Sequence, residues 1–347
     1  MMRRLIPFLA LVSLTPIPAA AQRAPAAPCT TATAECTEWI TLGGGPGRSL
    51  VYRSFPLDTR NDAITRVVLV VHGAGRDADN YYRSALGGAF LAGALQTSIV
   101  ISARMASNDG QGCRDTLAPN EISYHCNTWR SGGPSLSNPN VTSFDFLDEI
   151  LKKVARKEVF PNLKGITVTG HSAGGQVTNR YSMTSKVHDA LGVPITYVVS
   201  NPSSYAWPTD ERPTGPAAWP LEANAPAFRS LGDGRGCTDY DQWPYGFKSR
   251  TGYSASISDE QLTRQLASRP VILMLGQDDI LPLSGFDSGC EAMAQGPTRQ
   301  ARGQAYAKYV NEKLAGKHTV DVVTGCGHNG RCIYTSENFI RVAFPKP

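Results

Sequence analysis

Charge is scarce in this chain, and nowhere is it concentrated. Charged residues fill 18% of 347 positions, with 34 basic and 29 acidic side chains and a formal net charge of +5. No basic run stands out, so neither nucleic acid nor an anionic membrane is an expected partner. Heptads and internal repeats are absent, which excludes coiled coils and solenoids. The apolar run Leu5 to Leu14 is too short for a permanent transmembrane helix, so stable membrane insertion is not expected. C-x-x-C and paired Cys/His spacings are missing too, and with them the usual signs of a zinc site.

That short apolar run has another meaning. Arg3 and Arg4 precede it and Ala19-Ala20-Ala21 follows it, the order of a secretory signal cut before Gln22. Residues 1–21 are therefore expected to be a signal peptide, and the protein secreted or periplasmic. Loss of two arginines lowers the formal charge from +5 to about +3 (5 − 2). Ala26-Ala27-Pro28 before Cys29 does not suit a lipoprotein cut, and the flanks of the twin arginines match a folded-export signal poorly. Beyond the signal stand Cys29, Cys36, Cys113, Cys126, Cys237, Cys290, Cys326 and Cys332. An even count in an exported chain favours disulfides, with sequential pairing closing local loops.

Residues 22–38, rich in Ala, Pro and Thr, read as a flexible lead-in. The remainder, 39–347, is long enough for one domain with a large core. Alternation from Trp39 to Phe55 around Gly43-Gly44-Gly45-Pro46-Gly47 predicts a β-hairpin. Apolar runs at 66–71, 97–102, 166–169, 195–200 and 271–275 predict buried strands, and 319–323 reads as a final strand. Helical patterns cover 81–94, 144–159, 173–184 and 301–314. Strands alternating with helices predict an α/β protein with a mostly parallel sheet. Residues 105–143 form a polar, glycine-rich excursion. From about 201 to 269 the pattern breaks, with many prolines and three of the five tryptophans. This Pro/Trp-rich stretch is expected to be an insertion after the sixth strand that helps wall the substrate site.

The chemistry starts at Ile166 to Gly175, I-T-V-T-G-H-S-A-G-G. A β-branched run enters a G-x-S-x-G turn and a helix follows, the setting of a nucleophile elbow on Ser172. A serine hydroxyl needs a base, and the base needs an orienting carboxylate. In elbow enzymes the chain order is serine, acid, histidine. Downstream, V-I-L-M-L-G-Q-D-D offers Asp278 and Asp279, and strand-G-x-x-D favours Asp279; alternatively both acids cap a helix. The strand at 319–323 leads into T-G-C-G-H, which presents His328 between Cys326 and Cys332. His188 and His318 also follow Ser172, but neither sits beyond a strand's carboxyl end. Upstream, His72-Gly73-Ala74-Gly75 ends another apolar strand. Backbone N–H groups of Ala74 and Ala173 are the expected oxyanion hole, with His72 holding the loop.

H-G-A-G at 72–75, G-H-S-A-G-G at 170–175, G-Q-D-D at 276–279 and G-C-G-H at 325–328 together resemble the α/β-hydrolase superfamily, over about residues 64–345. Among its branches the chain is similar to secreted polyhydroxybutyrate depolymerases and feruloyl esterases. The resemblance implies an α/β-hydrolase fold and a serine esterase acting through an acyl-enzyme on Ser172, with Asp279 and His328. It implies no metal and no cofactor, and a small-molecule or polymeric ester as substrate. The same residues could cleave the C–C bonds of β-diketones, or peptide bonds. A non-catalytic binding protein on this scaffold is the alternative of another class. Tyr81, Tyr82, Trp129, Trp207 and Trp243 are candidate substrate contacts that would favour an aromatic or polymeric ester; they could equally be packing anchors.

Overall fold

The computed structural model describes residues 27–214, 227–232, 236–283 and 285–346, together with Met2. Apart from Met2, the expected signal peptide lies outside the described residues, as do Pro216, Trp219, Pro220 and Pro226 of the insertion. The elements begin with β1 (Thr37–Thr41), β2 (Arg48–Arg53), β3 (Arg66–Val71), α1 (Ala78–Leu91), β4 (Ser98–Ala103), α2 (Ser143–Val154), β5 (Gly165–His171) and α3 (Ala173–Thr184). They continue with β6 (Ile195–Ser200), β7 (Glu211–Thr214), β8 (Ala227–Ser230), α4 (Asp259–Ser268), β9 (Val271–Gly276), α5 (Cys290–Met293), α6 (Arg299–Lys313), β10 (Thr319–Val323), α7 (Gly330–Tyr334) and α8 (Glu337–Ala343).

One eight-stranded sheet runs in the order β1-β2-β4-β3-β5-β6-β9-β10. From β4 to β10 the neighbours are parallel, and β2 is antiparallel to both β1 and β4. Inner parallel strands need cover on both faces, as β3 shows, whereas the edge strand β10 is partly exposed. Val67, Leu69 and Val71 of β3 point into one apolar cluster with Phe144, Val177, Leu262 and Tyr306, from α2, α3, α4 and α6. Val68 and Val70 point into the opposite cluster with Tyr82, Ile333 and Phe339, from α1, α7 and α8. The sheet is thus the middle layer of three.

Register carries the fold toward function. Val71 pairs with Gly170, His171 with Ser200, Ser200 with Met274, and Val323 with Gly276. The carboxyl ends of β3, β5, β6, β9 and β10 therefore share one edge, and every motif singled out above follows one of these ends.

Local differences from the sequence reading have clear causes. Only the residues of the lead-in from 27 onward can be judged, and they are tied down rather than flexible. Cys29 is bridged to Cys36, and its amide donates to the Ser54 carbonyl. α2 starts at Ser143, behind a capping box between Thr142 and Asp145, and stops at Val154, short of 159. Such a cap is worth about 1 kcal/mol. Inside the insertion, α4 was hidden by its proline-rich neighbours. Its signals are local: Ser258 accepts from the Gln261 amide as N-cap, and Leu262 and Leu266 pack one turn apart. In the 105–143 excursion, Asp109 accepts from the amides of Gln111, Gly112, Cys113 and Cys126, which hold its carboxyl down at about 2. Further disulfides join Cys113 to Cys126, Cys237 to Cys290 and Cys326 to Cys332. Among the described residues no helix is long and apolar enough to cross a membrane.

Candidate active site

Between β5 and α3 the chain turns on Ser172, whose φ of 60° and ψ of −120° are unusual for a residue with a side chain. Such a conformation costs about 1–3 kcal/mol and persists only where the surroundings impose it. Three glycines show how they do. A Cβ on Gly174 would sit 2.1 Å from the Val71 carbonyl oxygen, and one on Gly175 would sit 2.4 Å from that of Ser200. On Gly170 it would meet the Gly174 backbone at 2.3 Å. The turn is wedged between β3 and β6, and the strained serine stands over the sheet edge. Ala173 opens α3, so its N–H has no partner within the helix.

The acid turn and the histidine loop are built as one piece. The amide of Gln277 donates to the Val323 carbonyl at 3.0 Å and that of Asp278 to the Cys326 carbonyl at 2.8 Å. Gly276 is needed where they touch, since a Cβ there would lie 2.5 Å from the Cys326 oxygen. This closeness brings His328 Nδ1 to 2.7 Å from Asp279 Oδ2, while His328 Nε2 lies 3.0 Å from Ser172 Oγ. Asp279 is fully buried, whereas Asp278 is exposed. No helix follows directly for either acid to cap. The Cys326–Cys332 bridge encloses His328 in a short loop.

The H-G-A-G loop rests on a buried histidine. His72 Nδ1 lies 2.9 Å from the Gly73 carbonyl, and its Nε2 accepts the Met105 amide at 2.9 Å. That pattern places the proton on Nδ1. Burial pulls the His72 pKa down to about 4, so the ring is neutral. Ala74 lines a cleft of about 660 Å³ together with Tyr81, His171, Ser172 and His328. Asp77, Asn80, Ser84, Asn329 and Arg331 make the rest of this wall largely polar.

Three neighbours were not anticipated. His171 occupies the free position of G-x-S-x-G, with its ring centroid 4.5 Å from that of His328. Burial first, then the nearby His328, holds His171 neutral. Asn201 joins three strand ends: its Oδ1 accepts from the Gly276 amide at 2.8 Å, and its Nδ2 lies 3.4 Å from His171 Nε2 and 3.5 Å from the Gly327 carbonyl. Arg299 places Nη1 3.3 Å from Asp279 Oδ1, with both side chains fully buried. No local sequence pattern flags any of the three, because each acts across the sheet edge.

Of the five aromatic candidates only Tyr81 lines the cleft. Tyr82 is fully buried, donates to the Cys29 carbonyl and stacks on Tyr52. Trp129 is buried against His72. Trp207 is buried among Phe228, Tyr306 and Tyr309. Trp243 is half-buried, outside the cleft lining, and donates to the Ser131 carbonyl. These four are packing residues. Large rings gain more from burial in proline-rich loops than from an open polar cleft. The insertion's described residues likewise contribute nothing to the lining of this cleft.

Fold and site meet the comparisons here. The model of the alpha/beta hydrolase family matches residues 67–343, and the chain belongs to that family. Among solved structures, it is similar to poly(aspartic acid) hydrolase-1 from Sphingomonas sp. KT-1, with 21% identity, a TM-score of 0.61, and coverage of 89% of this chain and 97% of that one. It is also similar to LpqC, a poly(3-hydroxybutyrate) depolymerase from Bordetella parapertussis, with 19% identity, a TM-score of 0.58, and coverage of 87% and 85%. At these identities the likeness is one of fold. No curated protein sequence matches the chain.

Proposed function

We propose that the protein is an exported serine hydrolase of carboxylic esters, working through an acyl-enzyme on Ser172. One observation carries this: the unbroken hydrogen-bonded path from Ser172 Oγ through His328 to the buried Asp279, opening on the cleft. His328 Nε2 takes the hydroxyl proton as Oγ attacks the ester carbonyl. Asp279 keeps the other ring proton on Nδ1 and stabilises the imidazolium. The N–H groups of Ala74 and Ala173 receive the oxyanion, where one donor is worth roughly 100- to 1,000-fold in rate. His328 then protonates the leaving alcohol, and an activated water resolves the acyl-enzyme. The neutrality of His171 serves this cycle, since a second cation against the imidazolium would oppose its formation.

The polar cleft supports a short or polar ester rather than a long acyl chain. With a single aromatic at its wall, it gives little support to an aromatic acyl group. In this reading residues 39–347 are the catalytic domain, 201–269 its insertion and 1–21 the cleaved signal. Ser172→Ala should abolish hydrolysis of p-nitrophenyl acetate, and a fluorophosphonate should label Ser172 of the wild type. Full activity in the variant would overturn the assignment, and an unlabelled serine would point to a binding scaffold. Comparing kcat/KM for esters, β-diketones and peptides decides the bond cleaved. N-terminal sequencing of exported protein should begin at Gln22.

A further inference from the structure

Beneath the acid turn lies a buried cationic layer that the proposed cycle has not used. Arg299 and Arg302 stand one turn apart on α6, both fully buried. Arg302 spends its donors on carbonyl oxygens of Ser203, Asp287 and Gly296, so it holds backbone. Arg299 behaves differently. Its Nε donates to Ser203 Oγ at 2.8 Å, and its Nη1 lies 3.3 Å from Asp279 Oδ1. Among the described residues its Nη2, which carries two N–H groups, is buried without a hydrogen-bond partner, and the guanidinium carbon lies 5.2 Å from the Phe286 ring centre. Unpaired donors on a buried guanidinium are costly, so its position needs a compensating role.

Asp279 explains that role. One of its oxygens faces His328 and the other faces Arg299, so the carboxylate is divided between two cations whenever His328 is protonated. We propose that Arg299 is a positioning residue of the hydrolase: it fixes the Asp279 carboxylate from behind and moderates how strongly that carboxylate holds a proton on His328. The inference rests on the assignment of Ser172, Asp279 and His328 as the catalytic set. A base that keeps its proton too firmly cannot accept one from serine. An unshared carboxylate in a buried site would favour the imidazolium over too wide a pH range.

Other charged groups face this pair. His171 packs against His328 from the elbow, with Tyr81 of α1 behind it. Asp278 adjoins on the exposed side. Arg331 reaches the cleft from α7. Asp287 faces Arg299 and Arg302 from the acid loop and accepts from Tyr245 of the insertion. Tyr205, after β6, faces Asp279 and is held protonated by burial. Of the basic side chains among these, Arg299 is the one that forms an ion pair with the Asp279 oxygen that His328 does not use.

The test is the pH profile of kcat/KM on a soluble ester, in wild type and in Arg299→Lys, Arg299→Gln and Arg299→Met. Removing the charge should carry the acid limb upward by about one pH unit in the Gln and Met variants, with KM little changed. Lys keeps the charge and should keep the wild-type limb, with a several-fold lower kcat because it lacks the fork that also reaches Ser203. Arg302→Met should lose stability and leave the limb in place. Gln retains a donor for Asp279, so it reports on charge even if Met does not fold. An unmoved limb in Gln, or an equal shift in Lys, would overturn the role of Arg299. Fluorophosphonate labelling of the same proteins separates the two ideas. An unlabelled wild type sinks the catalytic set and this inference with it. Labelled variants with an unmoved limb sink Arg299 alone.

Discussion

The rim of the cleft and the insertion after β6 both consist largely of irregular chain, yet they are held by opposite means. At the rim, glycine lets backbone touch backbone: Gly170, Gly174 and Gly276 stand where no Cβ fits. In the insertion, buried arginines fill the space and satisfy the carbonyls. Arg212 donates to the carbonyls of Thr209, Glu211 and Tyr240 and lies between the rings of Trp207 and Tyr240. From α3, Arg180 reaches the insertion to donate to the Pro244 carbonyl, and it also donates to that of Arg130 in the 105–143 excursion. Buried loops leave carbonyls without ladder partners, and a guanidinium carries five donors to meet them. The rim is therefore organised around close distances between Ser172, His328 and Asp279, and the insertion around bulk and donor count. Trp207 and Trp243 belong to the second kind of construction, so they pack away from the cleft.

The contrast can be broken in order of expected effect. At the rim, Asp279→Asn should lower kcat by about 10⁴-fold through the wrong histidine tautomer, and it should also cost stability because the buried Arg299 loses its counter-charge. Asp278→Asn, one residue away and exposed, should stay within twofold. Steady-state kinetics checks both, and similar losses in the two would remove the distinction between them. In the insertion, Arg212→Met should cost about 3 kcal/mol in urea unfolding, from carbonyls left without donors. Its kcat per fluorophosphonate-titrated site should match wild type; a large loss would tie the insertion to catalysis.

Acid should separate the regions more gently. Burial lowers the Arg212 pKa only to about 10, so its charge persists across the ordinary range. His72 is neutral in the folded protein because burial lowers its pKa from 6.5 to about 4. Below pH 6.5 the unfolded chain binds a proton that the folded chain refuses. Stability from this group is thus present above about 6.5 and lost as the pH falls toward 4, by about 3 kcal/mol in all. Gln at position 72 can keep one donor and one acceptor and does not titrate. Urea unfolding of His72→Gln should therefore vary less between pH 7 and 4.5 than that of wild type, and equal slopes would reject this account.

Much of this was legible along the chain. The strands of the eight-stranded sheet could be read because each spans five to seven patterned residues, and the elbow because strand, turn and helix are contiguous, whereas the four-residue β7 and β8 of the insertion were not read. Asp279 and His328 could be read because each follows the glycine-rich end of such a strand. α4 was missed because its cap and its two leucines are embedded in irregular sequence. Tyr81 lines the cleft, but Tyr82, Trp129, Trp207 and Trp243 do not, because exposure belongs to the folded chain and no spacing says whether an aromatic ring faces a cleft or a core.

By itself, then, the sequence determined the layered α/β order and which strand ends carry serine, acid and histidine, since both follow from local pattern. The tertiary structure alone decided that His171 packs against His328, that Asn201 joins three strand ends and that Arg299 backs Asp279. Those contacts link residues tens to more than a hundred positions apart. Only the parallel register of the sheet, which gathers the carboxyl ends along one edge, brings them within reach.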